Sequence, residues 1–124
     1  MAQNGRFALS LRVLAHLAAS PADMHTSAEI AIALETSPVM VRRIFPALNK
    51  AGFIIQRKGP QGGAQLHSTP KSIGFGDVFA ATGGDWPSTG ERVADLLLSR
   101  ARTDAIVAMN DTTIASLIKK KKKS

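Results

Sequence analysis

No cysteine occurs among the 124 residues. That absence removes disulfides, thiolate redox switches, zinc–cysteine sites and cysteine-ligated iron–sulfur clusters together. No apolar run approaches the ~20 residues that span a bilayer. The apolar stretch from Phe7 to Ala19 is interrupted by Arg12 and His16. Its apolar positions recur with helical spacing, so it reads as an amphipathic helix and not as a secretory signal. The chain is therefore expected in the cytoplasm. Catalytic groupings are absent too. Ser27 and Glu29 read as a helix cap and not as a nucleophile with its base. No Walker pattern surrounds the glycine-rich segment at 59–63. His16, His25 and His67 stand singly on a helix, a loop and a strand, so no metal site is expected. The sequence implies no enzyme and no cofactor.

What is present points to a modest soluble fold. Hydrophobic residues make up 44% and charged residues 20%, which suits one domain with perhaps one extra element. The formal charge is +7, unevenly spread. Residues 1–70 carry seven Lys/Arg against three Asp/Glu, and residues 71–118 carry four against six. Lys119–Lys123 then adds five positive charges. A basic N-terminal half suits a phosphate backbone.

The chain is organised around Thr26–Leu66. Ahead of it, Phe7, Leu11, Leu14 and Ala18, with Leu17 alongside, mark one face of a helix over about 4–19, ended by Ser20-Pro21. Arg6 and Arg12 lie off this stripe and read as solvated charge. Thr26-Ser27-Ala28-Glu29 is a capping box opening a second helix, with Ile30, Ala31 and Leu34 as its apolar face. After the turn at Glu35-Thr36, Ser37 caps and Pro38 starts a third helix running to Lys50, with Gly52 as its stop. Two capped helices joined by so short a turn describe a helix-turn-helix.

The third helix has two faces. Val41, Ile44 and Leu48 form core, with Phe45 at the edge. Val39, Arg43, Pro46 and Lys50 point outward, flanked by Met40, Arg42 and Asn49. Val39 and Met40 suit thymine methyls, and Arg43 suits a guanine or a phosphate. Pro46 removes one helical hydrogen bond at a cost of ~3 kcal/mol, so either a kink or an end at Phe45 is expected. Strands at 53–58 and 64–67 enclose the turn Gly59-Pro60-Gln61-Gly62-Gly63. Arg57 and Lys58 stand at the base of this hairpin, and its glycines, Gly62 among them, permit close backbone approach. The fold class is mainly α with a small β-hairpin wing: a winged helix-turn-helix with a long C-terminal helix.

These residues resemble the Rrf2 family of bacterial winged-helix regulators. The likeness rests on Arg6-Phe7-Ala8-Leu9, on Ser37-Pro38-Val39-Met40-Val41-Arg42-Arg43-Ile44, and on Ala47-Leu48-Asn49-Lys50-Ala51-Gly52-Phe53-Ile54. It continues at Gly59-Pro60-Gln61-Gly62-Gly63, Pro70, Ile73 and Asp77-Val78. The resemblance covers roughly residues 5–80. It implies a homodimeric repressor on a palindromic operator in double-stranded DNA, with helix 38–50 in the major groove and wing 54–67 near the minor groove. By position it carries Ser37, Val39, Arg42 and Arg43 to the groove and Arg57 and Lys58 to the wing. Cluster-binding members hold three cysteines in the loop before the last long helix. Here that loop reads Gly83-Gly84-Asp85-Trp86-Pro87-Ser88-Thr89-Gly90, so this is a cysteine-less member without an iron–sulfur cluster. Gly74 and Gly76 replace the usual capping hydroxyl and apolar residue, which weakens the expected short helix over 75–81. Glu35 and Pro46 also depart from the family.

The rest reads as a pairing device. A helix over about 89–109 carries a stripe of Ala94, Leu97, Leu98, Ala101, Ala105 and Ala108, broad enough to pack on a second copy. A last helix capped by Asp111-Thr112-Thr113 runs to Ile118 and is expected to dock on that copy. The expected organisation is therefore a DNA-binding domain over 1–82, a loop and dimerisation helices over 83–118, and a disordered basic tail over 119–124. Trp86 marks the expected place of an unidentified small-molecule effector. Two other readings remain: a nucleic-acid binder without sequence preference, and a winged helix used as a protein–protein adaptor.

Overall fold

The computed structural model describes residues 5–59, 62–83 and 85–123, with side chains described to Lys119. Asn4 in the first expected helix, Pro60 and Gln61 in the wing turn, Gly84 in the loop, and the side chains of Lys120–Lys123 lie outside these residues. In order come α1 (Gly5–Ala18), α2 (Ser27–Leu34), α3 (Pro38–Lys50), β1 (Ile54–Arg57) and β2 (Gly63–Leu66). A single 3-10 turn (Pro70–Ser72) leads to α4 (Phe75–Thr82), α5 (Arg92–Met109) and α6 (Ile114–Lys123). No described helix is long and apolar enough to cross a membrane.

α1 is the central post. It packs against α2, α3, α4, α6 and β2, so apolar residues are buried around most of its circumference. Leu9 and Val13 join Leu14 and Leu17 in the core, while Phe7 and Leu11 are only partly covered. Leu14, Leu17, Ile30, Ile44, Leu48, Ile54, Ile73 and Ile114 are fully buried and come from six different segments. Each such side chain contributes about 1.5–3 kcal/mol by leaving water.

The helix-turn-helix forms by local rules. The Thr26 hydroxyl accepts from the Glu29 N–H (3.0 Å), and the Glu29 carboxylate accepts from the Thr26 N–H (3.3 Å). α2 ends at Glu35, which adopts a left-handed conformation (φ 55°) while the Thr36 N–H donates to the Ala31 carbonyl. Arg12 is not idle charge: its guanidinium donates to the Leu34 carbonyl at 2.5 Å and ties α1 to the end of α2. The Ser37 hydroxyl accepts from the Val39 N–H to open α3. α3 closes with paired bonds, Gly52 N–H to the Asn49 carbonyl and Phe53 N–H to the Leu48 carbonyl, with Gly52 at φ 83°. Helical backbone runs unbroken through Pro46. The proline faces solvent there, so its lost hydrogen bond leaves only the Arg42 carbonyl without its usual donor.

The wing is antiparallel, with Ile54 opposite Leu66 and Arg57 opposite Gly63. A third, one-residue strand completes it: His25 and Ala64 exchange both backbone hydrogen bonds, at 2.9 and 2.8 Å. Gly63 makes this possible. A Cβ there would lie 1.9 Å from the His25 carbonyl oxygen, and its φ of 137° suits glycine. Behind this contact the His25 ring is buried against His16, centroids 5.2 Å apart, with Glu29 at 3.6 Å. Burial, then the His25 charge, hold the His16 imidazole below its ordinary value, while Glu29 opposes them. The folded state therefore resists protonation, and stability declines as pH falls through the ordinary value of 6.5.

The C-terminal half departs most from expectation. α4 forms despite its glycines because a distant residue caps it. The Asn110 side chain accepts from the Asp77 N–H (2.9 Å) and donates to the Asp77 carboxylate (3.2 Å). A Cβ on Gly74 would meet the Asn110 amide oxygen at 2.1 Å, and one on Gly76 the Ile106 carbonyl at 2.0 Å. Both glycines therefore exist to let α5 approach. Ile114 is fully buried in the core of its own chain, and α6 packs on α1. Ile114 therefore serves its own chain's core. α6 also carries helical backbone through the lysine run to Lys123, since lysine itself is a good helix former.

Two substitutions should move stability in opposite directions. Gly63→Ala should cost more than about 2 kcal/mol, through backbone strain and the clash with His25. Glu35→Gly should gain up to about 1 kcal/mol by removing a left-handed non-glycine residue. Urea unfolding of both variants beside the unaltered chain checks this.

Candidate nucleic-acid interface

α3 presents its outward face between two clefts. On one side, a cavity of about 310 Å³ is lined by Thr26 and Ser27 of the α2 N-terminus, Arg42 of α3, and Gln56, Arg57, Lys58, Gly59, Gly62 and Gly63 of the wing, with Phe45 as floor. Arg42 donates to the Ser27 hydroxyl at 3.2 Å, holding its guanidinium at the rim. On the other side, a cavity of about 350 Å³ is lined by Arg6 of α1 with Met40, Arg43 and Ile44 of α3. The Arg43 guanidinium lies 4.0 Å from the Met40 sulfur.

The face is basic throughout. Arg6, Arg42, Arg43, Lys50, Arg57 and Lys58 are all exposed. The α2 N-terminus adds the positive end of a helix dipole to the first cleft. Gly62 is structural here: a Cβ would lie 2.2 Å from the Arg57 carbonyl oxygen, so the wing tip can fold back only without a side chain. Val39 is 44% exposed and offers an apolar contact beside the arginines, while Met40 is half-buried. Ser37 is exposed, but its hydroxyl is engaged as the cap of α3.

Four residues around the clefts escape a local reading. Arg6 reads locally as solvated charge ahead of phosphate contact, because nothing local shows that α1 starts beside α3. Thr26 and Ser27 were read only as a cap. Asn49, read as flanking the outward face, accepts from the Gln56 N–H at 3.3 Å and fastens the wing to α3.

Trp86 sits in the loop between α4 and α5. Its indole N–H donates to the Leu98 carbonyl at 2.7 Å, and its ring meets Phe79 edge-on, itself edge-on to Phe7 and covered by Arg102. Asp95 fixes the same loop by accepting from the Thr89 N–H and hydroxyl, the Gly90 N–H and the Ser88 hydroxyl. These bonds, Thr89 first, hold the Asp95 carboxyl below its ordinary value of 3.8. Their contribution is present above that value and is lost as pH falls through the lowered one.

α5 has no buried residue. Of the five positions expected to pair copies, Leu97, Ala101 and Ala108 are exposed, whereas Leu98 and Ala105 are half-buried on the side toward α4. Val93, Leu96 and Val107 are also exposed.

A recognition helix, a second helix crossing behind it and a basic hairpin beside it make a winged helix-turn-helix, a DNA-binding class of protein. A family model described as "Iron-dependent Transcriptional regulator" matches residues 3–120. The chain belongs to this family, Rrf2, and is a DNA-binding transcriptional regulator and not an enzyme. Among solved structures it resembles the cysteine regulator CymR of B. subtilis, at 22% identity and a TM-score of 0.72, over 96% of this chain and 97% of that one. IscR of T. potens is 19% identical with a TM-score of 0.72, over 97% of this chain and 88% of that one. The oxidized form of CymR from Staphylococcus aureus is 22% identical with a TM-score of 0.70, over 95% and 96%. No curated protein matches the sequence.

The family description raises the question of iron. With no cysteine in the chain, there is no thiolate to hold an iron–sulfur cluster. Among the described residues no group of three His, Cys, Asp or Glu could hold a metal ion. The donor set does not fit the group.

The two clefts should act through phosphates. Replacing Arg57 and Lys58 by alanine should weaken binding to all duplex sequences alike and make the salt slope of log K shallower by ~2 per protomer. Arg43→Ala should likewise weaken binding to all duplex sequences alike and make the salt slope shallower by ~1 per protomer. Fluorescence anisotropy across a salt series measures both.

Proposed function

We propose that this chain is a homodimeric repressor binding a palindromic operator, with α3 in the major groove and the wing along the neighbouring backbone. The observation that carries the reading is the pair of basic clefts flanking α3. Arg42, Arg57 and Lys58 on one side and Arg6 and Arg43 on the other would each take a phosphate run bordering the groove. Val39 and Met40 then lie over the base edges between them. Dimerisation is supported by α5, which leaves Val93, Leu96, Leu97 and Val107 more than half exposed. A two-fold pair of such heads requires half-sites about 34 Å apart or a multiple of it. Repression follows if the operator overlaps a promoter, since the bound dimer then excludes polymerase.

An effector belongs, in this reading, at the seam around Trp86, where the loop, α4 and α5 meet. Its indole N–H is already committed to Leu98, so a ligand there would be read through stacking and would alter tryptophan fluorescence.

The test is selection of fragments from the source genome by purified protein lacking Lys119–Lys123. One recovered palindromic motif with the stated spacing supports the reading. Random fragments would replace it with sequence-independent binding. Repression is then checked by transcription in vitro from a promoter bearing the motif.

A further inference from the structure

The outward face of α5 is not uniformly apolar. Its inward side, toward α4, is traced by Ala94, Leu98, Arg102, Ala105, Ile106 and Met109, all half-buried. On the opposite side, Val93, Leu96 and Leu97 form one apolar group, and Val107 and Ala108 form another. Between the two groups stand Arg100 and Asp104, four residues apart on the centre line of that face, both exposed. At 3.6 residues per turn, Arg100 lies almost diametrically opposite Leu98 and Arg102. Among the described residues neither charge has an ion-pair partner within its own chain. A basic and an acidic residue thus interrupt the most apolar exposed stripe of the protein, at its midpoint.

We propose that Arg100 and Asp104 form two reciprocal ion pairs across an antiparallel contact between α5 helices of two copies, and that these pairs fix the register and choice of partner. The inference rests on the homodimer reading above and adds its geometry. Antiparallel helices crossing at a two-fold axis level with residue 102 bring Arg100 against Asp104 of the partner subunit, and the converse. The same register brings Leu96 and Leu97 to the height of Val107 and Ala108 of the partner subunit. Apolar groups meet apolar groups and each charge meets its opposite. A parallel, in-register arrangement would set Arg100 against Arg100 of the partner subunit, leaving like charges inside an apolar seam. Sliding an antiparallel pair by one turn sets one charge against its own kind, Arg100 against Arg100 of the partner subunit or Asp104 against Asp104 of the partner subunit, and leaves the other facing an aliphatic side chain. Removing a charge from water without a partner is strongly disfavoured, so one register is selected. The same logic excludes a related chain whose α5 carries other charges at these positions.

The experiment uses full-length protein with two variants, Arg100→Asp and Asp104→Arg. The first carries two acids on this face and the second two bases. Sedimentation and native mass spectrometry should show the unaltered chain dimeric and each variant's dimer at least tenfold weaker. An equal mixture should form the heterodimer with nearly the original affinity. Intrahelical pairing cannot explain that recovery, because both variants lack it before and after mixing. The double reversal Arg100→Asp/Asp104→Arg should pair with itself and not with the unaltered chain. Dimeric variants whose mixture gives a statistical 1:2:1 distribution of species would overturn the proposed register while leaving the homodimer standing. A monomeric unaltered chain would overturn both. Circular dichroism of each variant excludes loss of fold, since both positions are solvent-facing on a helix.

Discussion

The candidate nucleic-acid surface is held first by one approach between two backbones, that of His25 and Ala64. Their reciprocal hydrogen bonds, at 2.9 and 2.8 Å, hold the wing against the segment that opens α2. This contact, together with the Gln56 N–H bond to Asn49, brings Arg57 and Lys58, on the hairpin, into one cleft with Ser27 and with Arg42 of α3. The approach in turn requires that Gly63 carry no side chain. A chain with the same charges but a bulkier residue at this position would keep its basic composition and lose its arrangement. The net charge of +7 is therefore a poor description of the interface, and the placement of five or six cations a good one.

The parts legible in the sequence were those governed by short-range chemistry. The capping box at Thr26, the Ser37-Pro38 start, the Gly52 stop and Gly62 of the hairpin each act within a few residues. α3 accordingly runs from Pro38 to Lys50 as expected. What escaped was long-range. Asn110 caps α4 from 33 residues away, so Gly74 and Gly76 looked like defects when they are clearance for α5. Arg12 bonds the Leu34 carbonyl across 22 residues and Arg6 lines a cleft with α3. Both had looked like unattached surface charge, because periodicity says which face is polar and nothing about what stands opposite. The phase of α1 was shifted for the same reason: the whole fold surrounds it, so no single stripe describes its burial.

The loop between α4 and α5 shows how a family member can hold its shape without sulfur ligands. Trp86 plugs onto Phe79 and the Leu98 carbonyl, and Asp95 gathers the backbone and hydroxyls of residues 88–90. A bulky aromatic and an anionic clasp hold a short loop firmly by burial and hydrogen bonding alone. The geometry of this loop is set by these contacts.

The chain leaves its core after Thr82 and rejoins it at Ile114, so α5 is an excursion attached at both ends. Trp86 and Asp95 clamp its entry, and Asn110 clamps its exit. Between those clamps its outer face bears no obligation to the core. In an assembly built on α5, it acts as a strut whose length sets how far apart the two reading heads stand. Adding or deleting residues there changes that span by about 1.5 Å each and rotates the heads by about 100°. Only insertions near whole turns would leave the heads facing the same way. In such an assembly the spacing of the two heads would change through the strut in discrete steps, while the hydrophobic core remains untouched.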